Sequence, residues 1–173
     1  AGARLRTLRR WALDTGTVTE IARWQPPAGM RLDQPGLRPV AFDPAVRWLA
    51  FGDDRDVVLR AIPEGASSDR RLSRHGARVR EVQFDPAQRR LLSFDEAGLF
   101  CLWSVPDGRL LRELRTTTPH RYSMPVFSPD GSLIVWMTGD GGTLVWNLAA
   151  PAAAPPTVLR RTDVRDSGAE AFD

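Results

Sequence analysis

The feature that most constrains the fold of this chain is an internal repeat of 42 to 43 residues. A Phe that ends a short apolar run occurs three times, in VAFDPAVRWLAF, VQFDPAQRRLLSF and VFSPDGSLIVW, as Phe42, Phe84 and Phe127. A second landmark, a Trp at the end of an apolar run, keeps the same spacing at Trp103 and Trp146. Landmarks that hold one phase over most of the chain indicate repeated structural units.

The segment FSPDGSLIVWMTGDGGTLVWNL, residues 127–148, shows what one unit contains. Pro129 and Gly131 mark one turn, Gly139 to Gly142 mark another, and the apolar runs between and after these turns carry no charge. Uncharged runs of this length predict β-strands that are covered on both faces. A period of about 40–45 residues with four strand-sized runs is typical of the blades of a β-propeller.

We therefore predict an all-β fold, a β-propeller arc of four-stranded antiparallel blades with partial blades at both ends. The predicted segments are the last strands of a preceding blade (1–22), a loop (23–36), three complete blades (37–74, 75–117 and 118–161) and the first strand of a following blade (162–173). The chain has no initial Met, and its last residues, AFD, repeat Ala41 to Asp43. We expect a piece of a longer propeller, which would associate with itself when isolated because its end faces lack neighbours.

The repeats resemble those of WD40 β-propellers, most clearly in HGARVREVQFDPAQRRLLSFDEAGLFCLW, residues 75–103. In that family a buried network joins a His before the first strand, a Ser or Thr on the second, an Asp in the next turn and a Trp ending the third. His75, Ser93 and Trp103 match these positions, whereas Ala97 stands at the Asp position. The resemblance thus implies an incomplete network in this blade.

The other two blades match the WD40 pattern less well. The third keeps Asp140 and Trp146 but has Trp136 at the Ser/Thr position and Thr118 at the His position. The first has Arg60 in place of the Trp. We interpret all three as degenerate repeats.

The sequence predicts no catalytic, cofactor or metal site, and we interpret the chain as non-enzymatic. It has only two His, no Cys/His cluster at metal-ligand spacing and no G-x-S-x-G elbow. The GDGG run lacks the Lys-Ser/Thr of a phosphate loop, and the acidic residues near turns are expected to cap those turns, not to bind calcium. The single Cys, Cys101, alternates with Leu99 and Trp103 along a strand and is expected to be a packed, reduced core thiol.

The resemblance implies that a partner docks on the rim where the first strands begin and the turns between second and third strands lie. The candidate rim residues in this chain are Arg38, Arg78, Arg80, Arg121 and Glu96. An Arg-rich rim favours an acidic protein or peptide, since guanidinium groups pair carboxylates bidentately. The alternative is a solvated face in a chain whose 24 basic residues are all Arg.

Two functional hypotheses remain from the sequence. The first is a cytoplasmic protein-interaction scaffold or sensor, held with the remaining blades in a bacterial signalling protein of the STAND NTPase or Ser/Thr kinase type. The alternative is the propeller of a TolB-like periplasmic or peptidase-associated protein. Nucleic acid is disfavoured because the Arg runs lack interleaved aromatic residues and the net charge is only +3. No apolar stretch approaches the roughly 20 residues of a membrane span.

Overall fold

A computed structural model describes residues 6–24, 39–62, 69–116, 124–138, 142–151 and 154–159. Within these ranges the chain forms 14 β-strands and no helix, so the described residues contain no helix that could cross a membrane. The strands fall into two compact units, residues 1–117 and 118–173.

The first unit contains a two-stranded sheet and two four-stranded sheets, all antiparallel. The two-stranded sheet pairs β1 (Arg6–Trp11) with β2 (Val18–Trp24). Blade one consists of β3 (Val40–Phe42), β4 (Trp48–Asp53), β5 (Asp56–Ala61) and β6 (Arg70–Ser73). Blade two consists of β7 (Val79–Phe84), β8 (Arg90–Asp95), β9 (Leu99–Ser104) and β10 (Leu110–Arg115). In both blades the strands lie side by side in chain order.

The second unit contains one further sheet of the same design, blade three. Its strands are β11 (Val126–Phe127), β12 (Leu133–Met137), β13 (Thr143–Asn147) and β14 (Thr157–Leu159), again in chain order. Strand β2 continues to Trp24, past the predicted start of the loop at 23, and the strand expected within 162–173 lies outside the described residues.

The residue after each landmark Phe fixes the turn between the first two strands of its blade. One oxygen of Asp43 accepts the amides of Arg47 at 2.5 Å and Trp48 at 2.7 Å. Asp85 accepts the amides of Arg89 and Arg90, both at 2.8 Å. A side-chain oxygen that satisfies two amides in this way holds the turn closed and sets the register of the strands that follow.

The core of the first unit lies between blades one and two. Its buried side chains include Val57, Leu59 and Leu72 from blade one and Val82, Leu91, Cys101 and Trp103 from blade two. The blades approach closely, since a Cβ on Gly52 would lie 3.0 Å from the Cβ of Val79. Cys101 is fully buried, as predicted, and burial raises the pKa of its thiol to about 12, so the thiol stays protonated.

The sequence predicts that the strands within residues 127–148 are covered on both faces. In the structure β8 and β9 of blade two are covered in this way, but the strands of blade three are not. In β12 and β13 the buried side chains alternate with half-buried ones, and Met137 is 59% exposed. The buried residues Ile134 and Trp136 stand opposite Trp146 and Leu144 and so share one face of the sheet. The prediction was wrong here because an uncharged strand does not by itself show that its second face is covered.

Candidate functional site

Three of the predicted rim residues, Arg78, Arg80 and Glu96, are among the described residues and lie at or next to the start of β7. The amide of Val79 donates to the carbonyl of Asp54 in blade one at 2.7 Å, and the amide of Glu96 donates to the carbonyl of Arg78 at 3.0 Å. We use the term rim for the three segments that meet there, residues 53–56, 76–80 and 95–98. Main-chain hydrogen bonds thus join the β4–β5 turn, the start of β7 and the β8–β9 turn into one continuous edge.

A buried hydrogen-bond network lies directly behind this edge. The Nε2 atom of His75 is 2.7 Å from the hydroxyl oxygen of Ser93, and the indole N–H of Trp103 donates to the same oxygen at 2.8 Å. The Nδ1 atom of His75 lies 3.3 Å from a carboxylate oxygen of Asp95. All four residues are buried. The network therefore ties the segment before β7 to strands β8 and β9.

Asp95 supplies the carboxylate that the resemblance places at position 97, where the sequence has Ala97. The last residue of β8, not the turn itself, carries this group. Its other oxygen accepts the amides of Ala97 and Leu99, both at 2.9 Å, so the same side chain also closes the β8–β9 turn. The expectation of an incomplete network was therefore wrong, because blade two holds all four chemical groups, namely the imidazole, the hydroxyl, the carboxylate and the indole.

The network is satisfied when His75 is neutral. With the proton on Nδ1, the imidazole donates to Asp95, while Nε2 accepts the hydroxyl proton of Ser93. The Ser93 oxygen remains free to accept the indole N–H of Trp103. Burial lowers the pKa of His75, an effect that the nearby Asp95 carboxylate only partly offsets, so the imidazole is kept in this neutral form.

The described rim carries charges of both signs. Arg78 and Arg80 are half-buried at the start of β7, whereas Glu96 and Asp54 are exposed in the two turns. The guanidinium of Arg71 bonds Asp53 at 2.6 Å and Asp56 at 3.1 Å, and these hydrogen bonds raise the pKa of Arg71. The β4–β5 turn also carries Arg55, whose Nε lies 4.0 Å from a carboxylate oxygen of Asp54, so the charge of the described rim is mixed and not predominantly positive.

Several predicted site residues cannot be placed beside this edge. Arg38, Arg121, Asp140 and Thr118 lie outside the described residues. Trp146 is buried in the second unit opposite Ile134.

Arg60 stands in blade one where the resemblance would place a Trp. Instead of entering a buried network, its guanidinium forms two hydrogen bonds of 2.7 Å with Asp69. It also lies 5.5 Å from the ring centre of Phe51. These hydrogen bonds lower the pKa of the Asp69 carboxyl, so the pair stays charged and joins the ends of β5 and β6.

Two contacts between blades one and two were not found from the sequence. Arg74 bonds Glu113 through two hydrogen bonds of 2.5 and 2.8 Å, and Arg47 donates to the side-chain carbonyl of Gln88 at 2.9 Å. The partners lie 39 and 41 residues apart. Because these separations are close to the repeat length, searching for complementary side chains one repeat apart would have identified both pairs.

Among the described residues, no group of three or more His, Cys, Asp or Glu side chains is arranged to hold a metal ion.

Comparison with known proteins agrees with this architecture. Neither a family model nor a curated protein matches the sequence. Among solved structures, the chain is similar to the β-propeller domain of Cps50 (Swd1) from Myceliophteria thermophila, with a TM-score of 0.59 and 18% sequence identity. The match covers 80% of this chain and 43% of the other, so this chain spans less than half of that propeller. The predicted resemblance to WD40 propellers is confirmed at the level of the fold.

Proposed function

We propose that this chain is a protein-interaction module that binds a partner at the rim. The finer role we propose is a regulatory segment of a cytoplasmic bacterial signalling protein of the STAND NTPase or Ser/Thr kinase type. The observation that carries the proposal is the joining of three segments from two blades at the start of β7. An edge assembled in this way presents charged side chains from a rigid support, which lowers the entropic cost of binding.

The charges of the rim favour a partner segment that also carries both signs. Carboxylates of the partner would face Arg78 and Arg80, and a basic group would face Glu96 or Asp54. Such complementarity fixes the register of the bound segment more than it adds affinity. The Arg residues of the rim alone favour an acidic partner. The carboxylates of the described rim favour a partner segment that carries charges of both signs.

The proposal is tested with peptides selected by phage display on the immobilised full chain. The double variant Arg78→Glu/Arg80→Glu should weaken the selected peptides by at least about tenfold, a loss of about 1.4 kcal/mol. The matched control Arg9→Glu/Arg23→Glu reverses two exposed charges on the two-stranded sheet and should bind as the unmodified chain does. Arg78→Gln/Arg80→Gln, which adds no negative charge, should give an intermediate loss at an unchanged melting temperature.

Selected peptides that bind the rim variant and the control equally well would reject the rim as the binding site. The signalling role is tested separately, by determining the mass and flanking sequence of the endogenous polypeptide. An NTPase or kinase module in the same polypeptide supports that role. A signal peptide or a hydrolase elbow would instead support the TolB-like or peptidase-associated alternative.

A further inference from the structure

A second surface lies at the opposite end of the strands from the rim. We use the term turn edge for residues 43–47, 85–89 and 104–109, which connect β3 to β4, β7 to β8 and β9 to β10. The amide of Val105 donates to the carbonyl of Arg89 at 2.8 Å, and the side-chain bond from Arg47 to Gln88 links the two blades. These contacts make the three segments one surface across blades one and two.

The turn edge repeats the same chemistry in the two blades. DPAVR at 43–47 and DPAQR at 85–89 align at the repeat spacing of 42 residues. In each, the Asp is buried in its turn and the following Pro and Ala are exposed. In each, the last residue is an exposed Arg, Arg47 or Arg89. Blade three has SPDGS at the corresponding residues, 128–132, and therefore lacks the Arg.

The charge exposed on the turn edge is predominantly positive. Arg89 and Arg109 are exposed. Arg47 has 61% of its side chain exposed, but its Nε lies 3.4 Å from a carboxylate oxygen of Asp43 and its Nη2 donates to Gln88. Asp43 and Asp85 contribute little negative charge to the surface, because they are 0% and 1% exposed and accept hydrogen bonds from turn amides. Asp107 is the exposed acid of these three segments.

Arg70 lies next to the turn edge and extends its positive charge. It is exposed at the start of β6, and its guanidinium donates to the main-chain carbonyl of Asp107 at 3.3 Å. Arg70 therefore bonds the main chain of Asp107 and not its carboxylate. Nearby Asp69 is already held by Arg60 and does not neutralise the surface.

We propose that the turn edge docks an acidic, extended protein segment whose carboxylates pair with Arg89 and Arg109, with Arg47 adding positive charge beside them. Guanidinium groups pair carboxylates through two parallel hydrogen bonds, and the exposed Pro-Ala steps provide small apolar surfaces between the charges. A protein segment is favoured over nucleic acid because the three segments contain no aromatic residue on which a base could stack. This surface is separate from the rim and does not rest on the function proposed for it.

The test uses the full chain and two short fluorescein-labelled peptides, one with Glu alternating with Ala and one with Gln in place of Glu. The Glu peptide should bind, and the Gln peptide should bind at least about tenfold more weakly. Arg89→Glu/Arg109→Glu should weaken the Glu peptide by at least about tenfold, whereas Arg9→Glu/Arg23→Glu should change its affinity by less than about twofold. Melting curves show whether each variant remains folded. If Arg89→Glu/Arg109→Glu does not, Arg89→Gln/Arg109→Gln is tested in its place.

A photo-crosslinking residue in the Glu peptide identifies the surface that is occupied. Crosslinks to residues 43–47, 85–89 or 104–109 support the proposal, while crosslinks confined to the rim overturn it without affecting the proposed function. Absence of binding by the unmodified chain also overturns it. A single-stranded DNA that binds as tightly as the Glu peptide at the same salt concentration would overturn it as well, since the surface would then be a general polyanion site.

Discussion

At the scale of single residues, Asp95 connects the interior of blade two to the rim. One of its oxygens faces His75 and the other holds the turn that carries Glu96. The amide of Glu96 donates to the carbonyl of Arg78, so hydrogen bonds connect the buried network to the rim. A change in the protonation of His75 would therefore reach the rim through very few atoms.

The first prediction concerns the pH dependence of stability. Because the pKa of His75 in the folded chain lies below its ordinary value of 6.5, the unfolded chain takes up this proton first as the pH falls. The stabilisation that neutral His75 gives the folded chain is fully present above about pH 6.5. Below that pH it decreases by at most about 1.4 kcal/mol per pH unit, until the pKa of His75 in the folded chain is reached. Urea unfolding at about pH 7.5 and about pH 5.5 measures this decrease.

The variant His75→Gln should be less stable at neutral pH but should lose less stability between these two pH values. An unchanged dependence in His75→Gln would contradict the assignment of a neutral, buried His75.

Most of this network could be predicted from the sequence, and the part that was missed has a physical reason. The WD40 resemblance assigns His75, Ser93 and Trp103 to the network, and the same resemblance places the carboxylate at position 97, where the sequence has Ala97. Ser93 and Asp95 are two residues apart in one strand, so their side chains point to the same face. Applying that alternation to β8 would have placed Asp95 next to Ser93 and His75.

At the scale of the elements, the turns between first and second strands share one backbone conformation. The fourth residue after each landmark Phe has a positive φ, 56° at Val46, 59° at Gln88 and 70° at Gly131. A side chain in this left-handed region costs roughly 1–2 kcal/mol, and only glycine avoids that cost. Blades one and two therefore contain a strain that blade three lacks.

The second prediction is that substitutions at this position have opposite effects on stability. Gln88→Gly should raise the free energy of unfolding by about 0.5 kcal/mol, because the relieved strain exceeds the lost exposed bond to Arg47. Gly131→Ala should lower it by about 1 kcal/mol. Chemical denaturation of both variants measures these changes.

The adjacent substitution Ala87→Gly is the control for the first of these variants. No strain is relieved at residue 87, so added glycine flexibility in the unfolded chain should lower its stability. If Gln88→Gly and Ala87→Gly destabilise equally, the left-handed conformation at position 88 stores no strain.

The strands and their order could be predicted from turn residues and apolar runs, whereas their coverage could not. Both β9 and β12 read as uncharged apolar runs, yet β9 is buried on both faces and β12 on one. The difference depends on what packs against each sheet. That information is not contained in the composition of either strand.

At the scale of the whole molecule, each unit exposes large apolar side chains. Trp11 and Leu13, in and after β1, are 66% and 85% exposed. In the second unit, Met137 and the β14 residues Val158 and Leu159 are more than half exposed. Large apolar side chains that lie exposed together are typical of surfaces that associate with another protein surface.

The third prediction follows from these side chains. The chain expressed alone should associate with itself, with a mass by light scattering above 19.2 kDa that rises with concentration. The variant Trp11→Arg/Met137→Glu should shift the mass towards that of the monomer, since it replaces apolar surface with charge. A monodisperse monomer with a cooperative melt would contradict the prediction.

The hydrogen bond of the Val79 amide makes the separation of blades one and two measurable by hydrogen exchange. As the first residue of β7, Val79 donates this hydrogen bond to Asp54 of the preceding blade, not to a partner strand in its own sheet. Exchange of this amide with solvent deuterium therefore requires the two blades to separate, whereas interior amides of β7 exchange only when the sheet itself opens. Exchange of the Val79 amide at a faster rate than the interior amides of β7 would therefore show that the two blades separate while both sheets remain folded.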